Sequence, residues 1–311
     1  MEVISHVLVL FLLMISGYIC TKLKICSQEM AVIFSSFVVK ITLPALLFSS
    51  FIRPFSTDLL QEAGYVLLLS VIIYGLSFII AYFYPRVLGM KGPERGVHRY
   101  AIIISNSGFI GYPMVQAILG PSYMFHAVIF NINFSLLAFS VCAWLIAKEI
   151  RTAGGTPMKI SWRLFVNPSV IATLLGIIFF IFSIGLPEVL FDSIKMTGDI
   201  TSVLCMFIIG INLAKTNVKH IFGRWQVYLT TFMRLIILPF LAGVIYYFLG
   251  FRGHVFVLSI LITAMPAGLF TSIFASLYDI APEEAGSIVF MSTMLCMITI
   301  PIIVSIAWQF A

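Results

Sequence analysis

Runs of about 20 mostly apolar residues, the length a helix needs to cross a bilayer, follow one another along this chain with only short polar joints between them. Ten such spans can be placed, at 4–21, 31–52, 63–85, 99–119, 123–147, 166–185, 189–213, 225–249, 254–277 and 285–308. Their sum explains a composition that is 61% hydrophobic and 10% charged, where soluble domains carry about 25% charged residues. The expected fold class is an all-α polytopic membrane protein. The net charge of +6 does not point to nucleic acid, because on a membrane protein it collects in cytoplasmic loops. The opening segment "MEVISHVLVLFLLMISGYICTKL" has Glu2 where a signal peptide has basic residues and offers no cleavage site, so it reads as a retained first span. The five cysteines show no metal or redox spacing and read as small hydrophobes.

Lysine and arginine set the expected orientation. The joints after spans 1, 3, 5 and 7 hold thirteen of them, and the opposite side holds Arg53, Lys195 and Arg252. The odd-numbered joints then face the cytoplasm of a cell membrane and both termini face out. The joint around "KEIRTAGGTPMKISWR" divides the spans into two sets of five. Short similarities recur in the same order across that joint: "AIIIS" (101–105) with "SILIT" (259–263), "AVIF" (127–130) with "SIVF" (287–290), and "IIAYFYP" (79–85) with "VIYYFLG" (244–250). Five spans per copy is an odd number, so the second copy sits upside down. The expected organisation is one five-helix repeat at 1–150, a cytoplasmic linker at 151–165 and an inverted repeat at 166–311, an arrangement typical of secondary transporters.

Spans 4 and 9, at equivalent places in the two repeats, are each interrupted. "ISNSGFIGYPMVQAILG" (104–120) carries Asn106, Ser107, Gly108, Gly111 and Pro113, and "ITAMPAGLFTS" (262–272) carries Pro266 and Gly268. Gly and Pro cost about 1 and 3 kcal/mol inside a helix. Unwinding is expected around 106–113 and 264–268, with the two broken helices crossing near mid-depth. Broken backbone at that depth must line an enclosed or watery space, and the freed N–H groups attract anions. Paired broken helices are the sequence's pointer to a transport site.

"NSGFIGYP" in span 4 resembles the auxin efflux carrier family, which includes bacterial malonate-type transporters and the plant PIN-FORMED exporters. So do "KITLPALLFSS" in span 2, "FMRLIILP" in span 8 and "AMPAGLFTSIFASLYDIAPEEAGSIVFMSTMLCMITIP" across spans 9 and 10. The resemblance covers nearly the whole chain. It implies two inverted five-helix repeats, crossing helices 4 and 9 at the substrate site, and a homodimer like that of the plant members. At two positions the chain departs from the pattern. Gly108 stands where several relatives carry proline, and Lys40 stands where they often carry asparagine four residues before the span 2 proline.

Ionisable residues inside a membrane are functional candidates. Every acidic residue lies away from the middle of a span, while Lys40 and Arg234 sit well inside spans 2 and 8. The expected ligand is therefore an organic carboxylate. The candidate contacts are Lys40, Asn106, Ser107, Gly108, Gly111, Tyr112, Pro113, Asn133, Arg234, Thr263, Pro266, Ala267 and Gly268. Arg234 has a second reading, in which it ties span 8 to the carbonyl end of a broken helix. No metal or cofactor is expected. Two other functions are open. A cation or proton antiporter would need a carboxylate on span 5, where Asn131 and Asn133 stand instead. A sensor for an organic acid would reuse a carrier fold. An intramembrane enzyme lacks its motifs: there is no GxSxG and no HExxH.

Overall fold

The computed structural model describes residues 2–139, 167–215, 224–277 and 280–311. The expected linker at 151–165 lies outside them, together with Lys148, Arg151, Lys159, Arg163 and Lys219, much of the charge that set the orientation. Helices dominate in chain order: α1 (Glu2–Lys22), α2 (Gln28–Phe37), α3 (Leu43–Phe51), α4 (Thr57–Val87), α5 (Gly92–Ile103), α6 (Tyr112–Ile118), α7 (Met124–Phe139), α8 (Pro168–Ile181), α9 (Glu188–Lys215), α10 (Trp225–Phe232), α11 (Leu238–Phe248), α12 (Gly253–Thr263), α13 (Leu269–Leu277) and α14 (Pro282–Gln309). Among the described residues six stretches are long and apolar enough to cross a membrane: Ser5–Lys22, Glu29–Phe51, Thr57–Val87, Glu188–Ala214, Trp225–Phe248 and Pro282–Gln309. The protein is thus an all-α, multi-pass membrane protein. Spans 4 and 9 fall short of that length because each is broken into two shorter helices, and span 5 runs out of the described residues at 139.

Three π-helical turns have one cause. They lie at Val38–Thr42, Ser107–Gly111 and Met233–Ile237, and each is followed two residues later by a proline: Pro44, Pro113 and Pro239. A proline ring collides with the carbonyl four residues back and offers no N–H. Widening the preceding turn makes room, so that Leu43 N–H bonds to Val38 O and Leu238 N–H to Met233 O. The proline then sits in the first turn of the next helix, where it costs little.

The helices form two compact units, each drawn from both halves of the sequence. The first contains Met1–Val66, Gly108–Ile129 and Phe165–Thr216. Its centre is α1 against α9, held close by glycine. A Cβ on Gly17 would stand 2.4 Å from Phe207 O, and one on Gly210 would stand 2.0 Å from Met14 O. Gly198 likewise lies against the Leu46 backbone, and Gly176 against the Phe51 ring. Lipid is as apolar as leucine, so close backbone approach through small residues replaces the hydrophobic drive. Phe51, Phe125 and Phe180 pack in series, with ring centroids 5.1 and 4.9 Å apart.

The second unit contains Leu67–Ser107, Phe130–Leu164 and Asn217–Ala311. Its core gathers Tyr100, Ile102, Ile103 and Ile104 of the span 4 segment with Leu238, Ala267, Ala285 and Ile288. Helix α12 is apolar all round, and its residues from Phe256 to Thr263 are all buried, as an interior helix requires.

Candidate crossover site

The candidate site of the second unit is built where two helices stop. Helix α5 ends at Ile103 because its next residues turn extended, and α12 ends at Thr263, ahead of Pro266. The two broken strands then pair antiparallel, Ser105 opposite Ala267. Asn106 N–H donates to Pro266 O at 2.8 Å and Gly268 N–H to Ile104 O at 2.9 Å. Ala267 N–H donates to Ser292 Oγ on α14 at 3.2 Å. Backbone freed by the breaks is therefore satisfied by the other break. Only glycine fits at 268: a Cβ there would lie 2.9 Å from Ile104 Cγ2 and 3.1 Å from Ser105 O.

The first break is narrower and earlier than the sequence suggested. Residues 104–106 leave the helix, but 107–111 form a π turn and Tyr112 begins α6. Pro113 settles in the first turn of that helix, and Gly108 has open space around its Cβ position, so neither one is the point of rupture. The second break, at 264–268, lies where it was expected.

Arg234 is buried on the π turn that Pro239 imposes. Its Nε donates to Met265 O at 3.1 Å and its Nη1 to Ile102 O at 3.1 Å. These carbonyls belong to the chain just past α12 and to the last turn of α5. Each helix C-terminus carries about −0.5 elementary charge, so one guanidinium balances two of them. This compensates a buried cation without a carboxylate.

Two buried donors are left over. Asn106 is 4% exposed and its Nδ2 has no partner among the described residues. The Thr271 hydroxyl, in the first turn of α13, is likewise buried and unpaired. At the head of α13 the Thr271 N–H is already bonded to Gly268 O at 2.9 Å. Ser107 is buried beside Asn106. Thr263 bonds back to Ser259 O at 2.7 Å. Asn133 is committed to α4, donating to Ser70 Oγ at 2.6 Å.

The remaining candidates, Lys40, Gly108, Gly111, Tyr112 and Pro113, belong to the first unit. Lys40 is exposed on the π turn before Pro44, while Tyr112 and Pro113 are buried. Sequence reasoning missed Ser292, which carries no signal beyond being one small polar residue in an apolar helix. It also missed a polar cluster of His98, Thr230, Glu284 and Arg224. There the Glu94 carboxylate, and then that of Glu284, push the Arg224 guanidinium above its already high range.

Comparison with known proteins gives the chain its family. The family model described as "Membrane transport protein" matches residues 2–153 and 156–304. An uncharacterized transporter of Methanothermobacter thermautotrophicus is 30% identical, over 97% of this chain and 96% of its own. A second, from Methanocaldococcus jannaschii, is 23% identical over 94% and 95%. Auxin efflux carrier component 8 of Arabidopsis thaliana is 25% identical over 91% of each chain. With the family model covering nearly the whole sequence, the chain belongs to the membrane transport protein family and is a carrier, not an enzyme.

Proposed function

We propose that this protein is a secondary carrier of organic carboxylate anions. The observation that carries the reading is the division of polarity in the crossover. Its carbonyl ends are bonded to Arg234, while Asn106 Nδ2 and the Thr271 hydroxyl remain as donors. Donors without a nearby carboxylate suit an anion. A relative named as an auxin efflux carrier agrees with a carrier role. The proposed frame is ten helices in two inverted five-helix repeats, 1–150 and 166–311, with helices 4 and 9 crossing and access alternating about them. We further propose a homodimer in the cell membrane with both termini extracytoplasmic.

Purified protein melted against malonate, malate, lactate and an aromatic acid tests the reading, because a ligand stabilises the state it binds. At least one acid is expected to raise the melting temperature and to enter protein-containing vesicles when labelled. Protection without flux would make the protein a sensor. Protection only by neutral or cationic compounds would overturn the anion assignment.

Asn106→Leu is expected to weaken binding of the protecting acid by about 1.5–3 kcal/mol, the scale of a hydrogen bond to a charged group. Unchanged affinity in the isotherm would remove Asn106 from the site. Lys40, in the first unit, is proposed as a cation for the same class of ligand. Lys40→Met is expected to lower affinity by about 1–3 kcal/mol with the melting temperature preserved, since methionine suits lipid or core. An isotherm matching that of the wild type would exclude it.

A further inference from the structure

The second unit holds a buried titratable cluster that the carboxylate site does not use. His98 lies on α5 and is fully buried. Its Nε2 is 2.9 Å from Glu284 Oε1, in the first turn of α14, and its Nδ1 is 2.5 Å from Thr230 Oγ1 on α10. Thr230 Oγ1 is in turn 3.1 Å from the Tyr84 hydroxyl. Glu284 Oε2 accepts from Arg224 Nη1 at 2.9 Å, and Arg224 also bonds to Glu94. The Arg224 and Glu94 side chains are about half exposed while that of Glu284 is 4% exposed, so the cluster runs from water to the interior.

Hydrogen-bond inventory gives the His98–Thr230–Tyr84 links two states, in the second of which the half-buried Tyr84 hydroxyl turns its own proton away from Thr230. A carboxylate only accepts, so Nε2 must carry a proton in both. With the imidazole neutral, Nδ1 accepts from the Thr230 hydroxyl, which accepts from Tyr84. With the imidazole protonated, Nδ1 donates to Thr230, and Thr230 turns its proton to the Tyr84 oxygen. One proton from water forms one new N–H bond at Nδ1 and reverses two hydrogen bonds; no donor is left facing a donor. Glu94, Arg224 and Glu284 together carry one uncompensated negative charge, and the imidazolium cancels it.

Other charged groups of these helices make contacts of their own. On α5, Arg95 donates to Met90 O and Arg99 turns to the Tyr82 ring. On α4, Arg86 stacks on that same ring at 3.6 Å. Arg234 holds the crossover carbonyls, and Glu283 of α14 is exposed. Helix α13 carries no titratable residue.

Two members of the cluster lie on helices that lead to the broken segments. His98 stands six residues before Ile104, about 9 Å along the helix, and Thr230 stands one turn before Arg234. We propose that His98 is a proton-binding site and that its proton is the ion coupled to carboxylate movement, a proposal whose second half rests on the carrier reading above.

Protein labelled with 15N-histidine, in phosphatidylcholine vesicles, reports the ring nitrogens by solid-state NMR. The His98 signals are assigned by their loss in His98→Gln. On acidification His98 is expected to pass from the Nε2–H form to the doubly protonated form. In Glu284→Gln, which keeps the histidine, it should stay neutral under the same acidification. Labelled malonate, or whichever acid of the panel protects the protein, is then followed into vesicles with and without an imposed proton gradient. The gradient should speed wild-type uptake severalfold and leave uptake by Glu284→Gln unchanged. A His98 that keeps one protonation state throughout overturns the proton site. Proton uptake with flux indifferent to the gradient overturns the coupling. Proton uptake with no acid transported at all sinks the carrier reading and leaves the proton site standing.

Discussion

Gly210→Val is expected to destabilise the first unit by about 3 kcal/mol or more, the upper end of what overpacking costs. The added Cβ would stand 2.0 Å from Met14 O and 2.8 Å from Tyr18 N, both backbone atoms. Side chains can rotate away from a clash; a helix backbone cannot. Real Cβ contacts stay beyond 3.0 Å, so α1 must retreat from α9 by at least about 1 Å. The retreat also opens the matching contact at Gly17, whose own Cβ position is 2.4 Å from Phe207 O. Dispersion is lost along the shared face, since a gap of 0.5–1 Å forfeits about a quarter to a half of each contact. No hydrophobic effect offsets this in lipid. Gly64→Ala on α4 is the control: nothing lies within 4 Å of its Cβ position, and alanine favours a helix. Thermal melting in detergent should drop sharply for Gly210→Val and hold or rise for Gly64→Ala. Equal melting of the two variants would mean that the close approach of α1 and α9 is not what holds the unit.

Much of this fold was legible because membrane spans announce themselves by length and hydropathy alone. The second break was legible too, since Pro266 and Gly268 sit where the chain leaves α12. The first break was misplaced by a few residues, because proline is disruptive inside a helix and harmless in its first turn, and sequence alone does not say which position Pro113 holds. The pairing of Ser105 with Ala267 was invisible: it is made by backbone groups that every residue carries. The partner of Arg234 was half legible: a tie to the carbonyl end of a broken helix stood beside an anionic ligand as its two readings, but that the guanidinium bridges two such ends, at Ile102 and Met265, has no letter in the sequence. His98 and Glu284 stand 186 residues apart near the ends of their spans, where each alone reads as solvated. Two domains, a scaffold and a transport domain, were implied by the family resemblance, but which residues make each compact unit was hidden, as each draws on both halves of the chain and the joins fall inside helices such as α4.

Arg234→Met is expected to cost about 2–4 kcal/mol of stability, and the sign is not obvious in advance. Removing a buried cation relieves a desolvation penalty of several kcal/mol, and methionine packs well in its place. Against this, Ile102 O and Met265 O each lose a donor at 3.1 Å, and each orphaned buried group costs about 1–3 kcal/mol. The two helix C-termini also lose the charge that balanced them, worth up to about 2 kcal/mol apiece in buried geometry. Replacing both partners of a buried interaction can be neutral, but here the carbonyls are backbone and cannot be replaced. The losses therefore outweigh the relief. Arg234→Lys separates charge from geometry: it keeps the cation, but a single ammonium lacks the planar fork that reaches two carbonyls at once, so it should fall between wild type and Arg234→Met. Because the guanidinium bonds to both broken segments, the loss should appear in melting without any acid present. A variant that melts like wild type yet fails to bind the protecting acid would move Arg234 from holding the two breaks to holding the ligand.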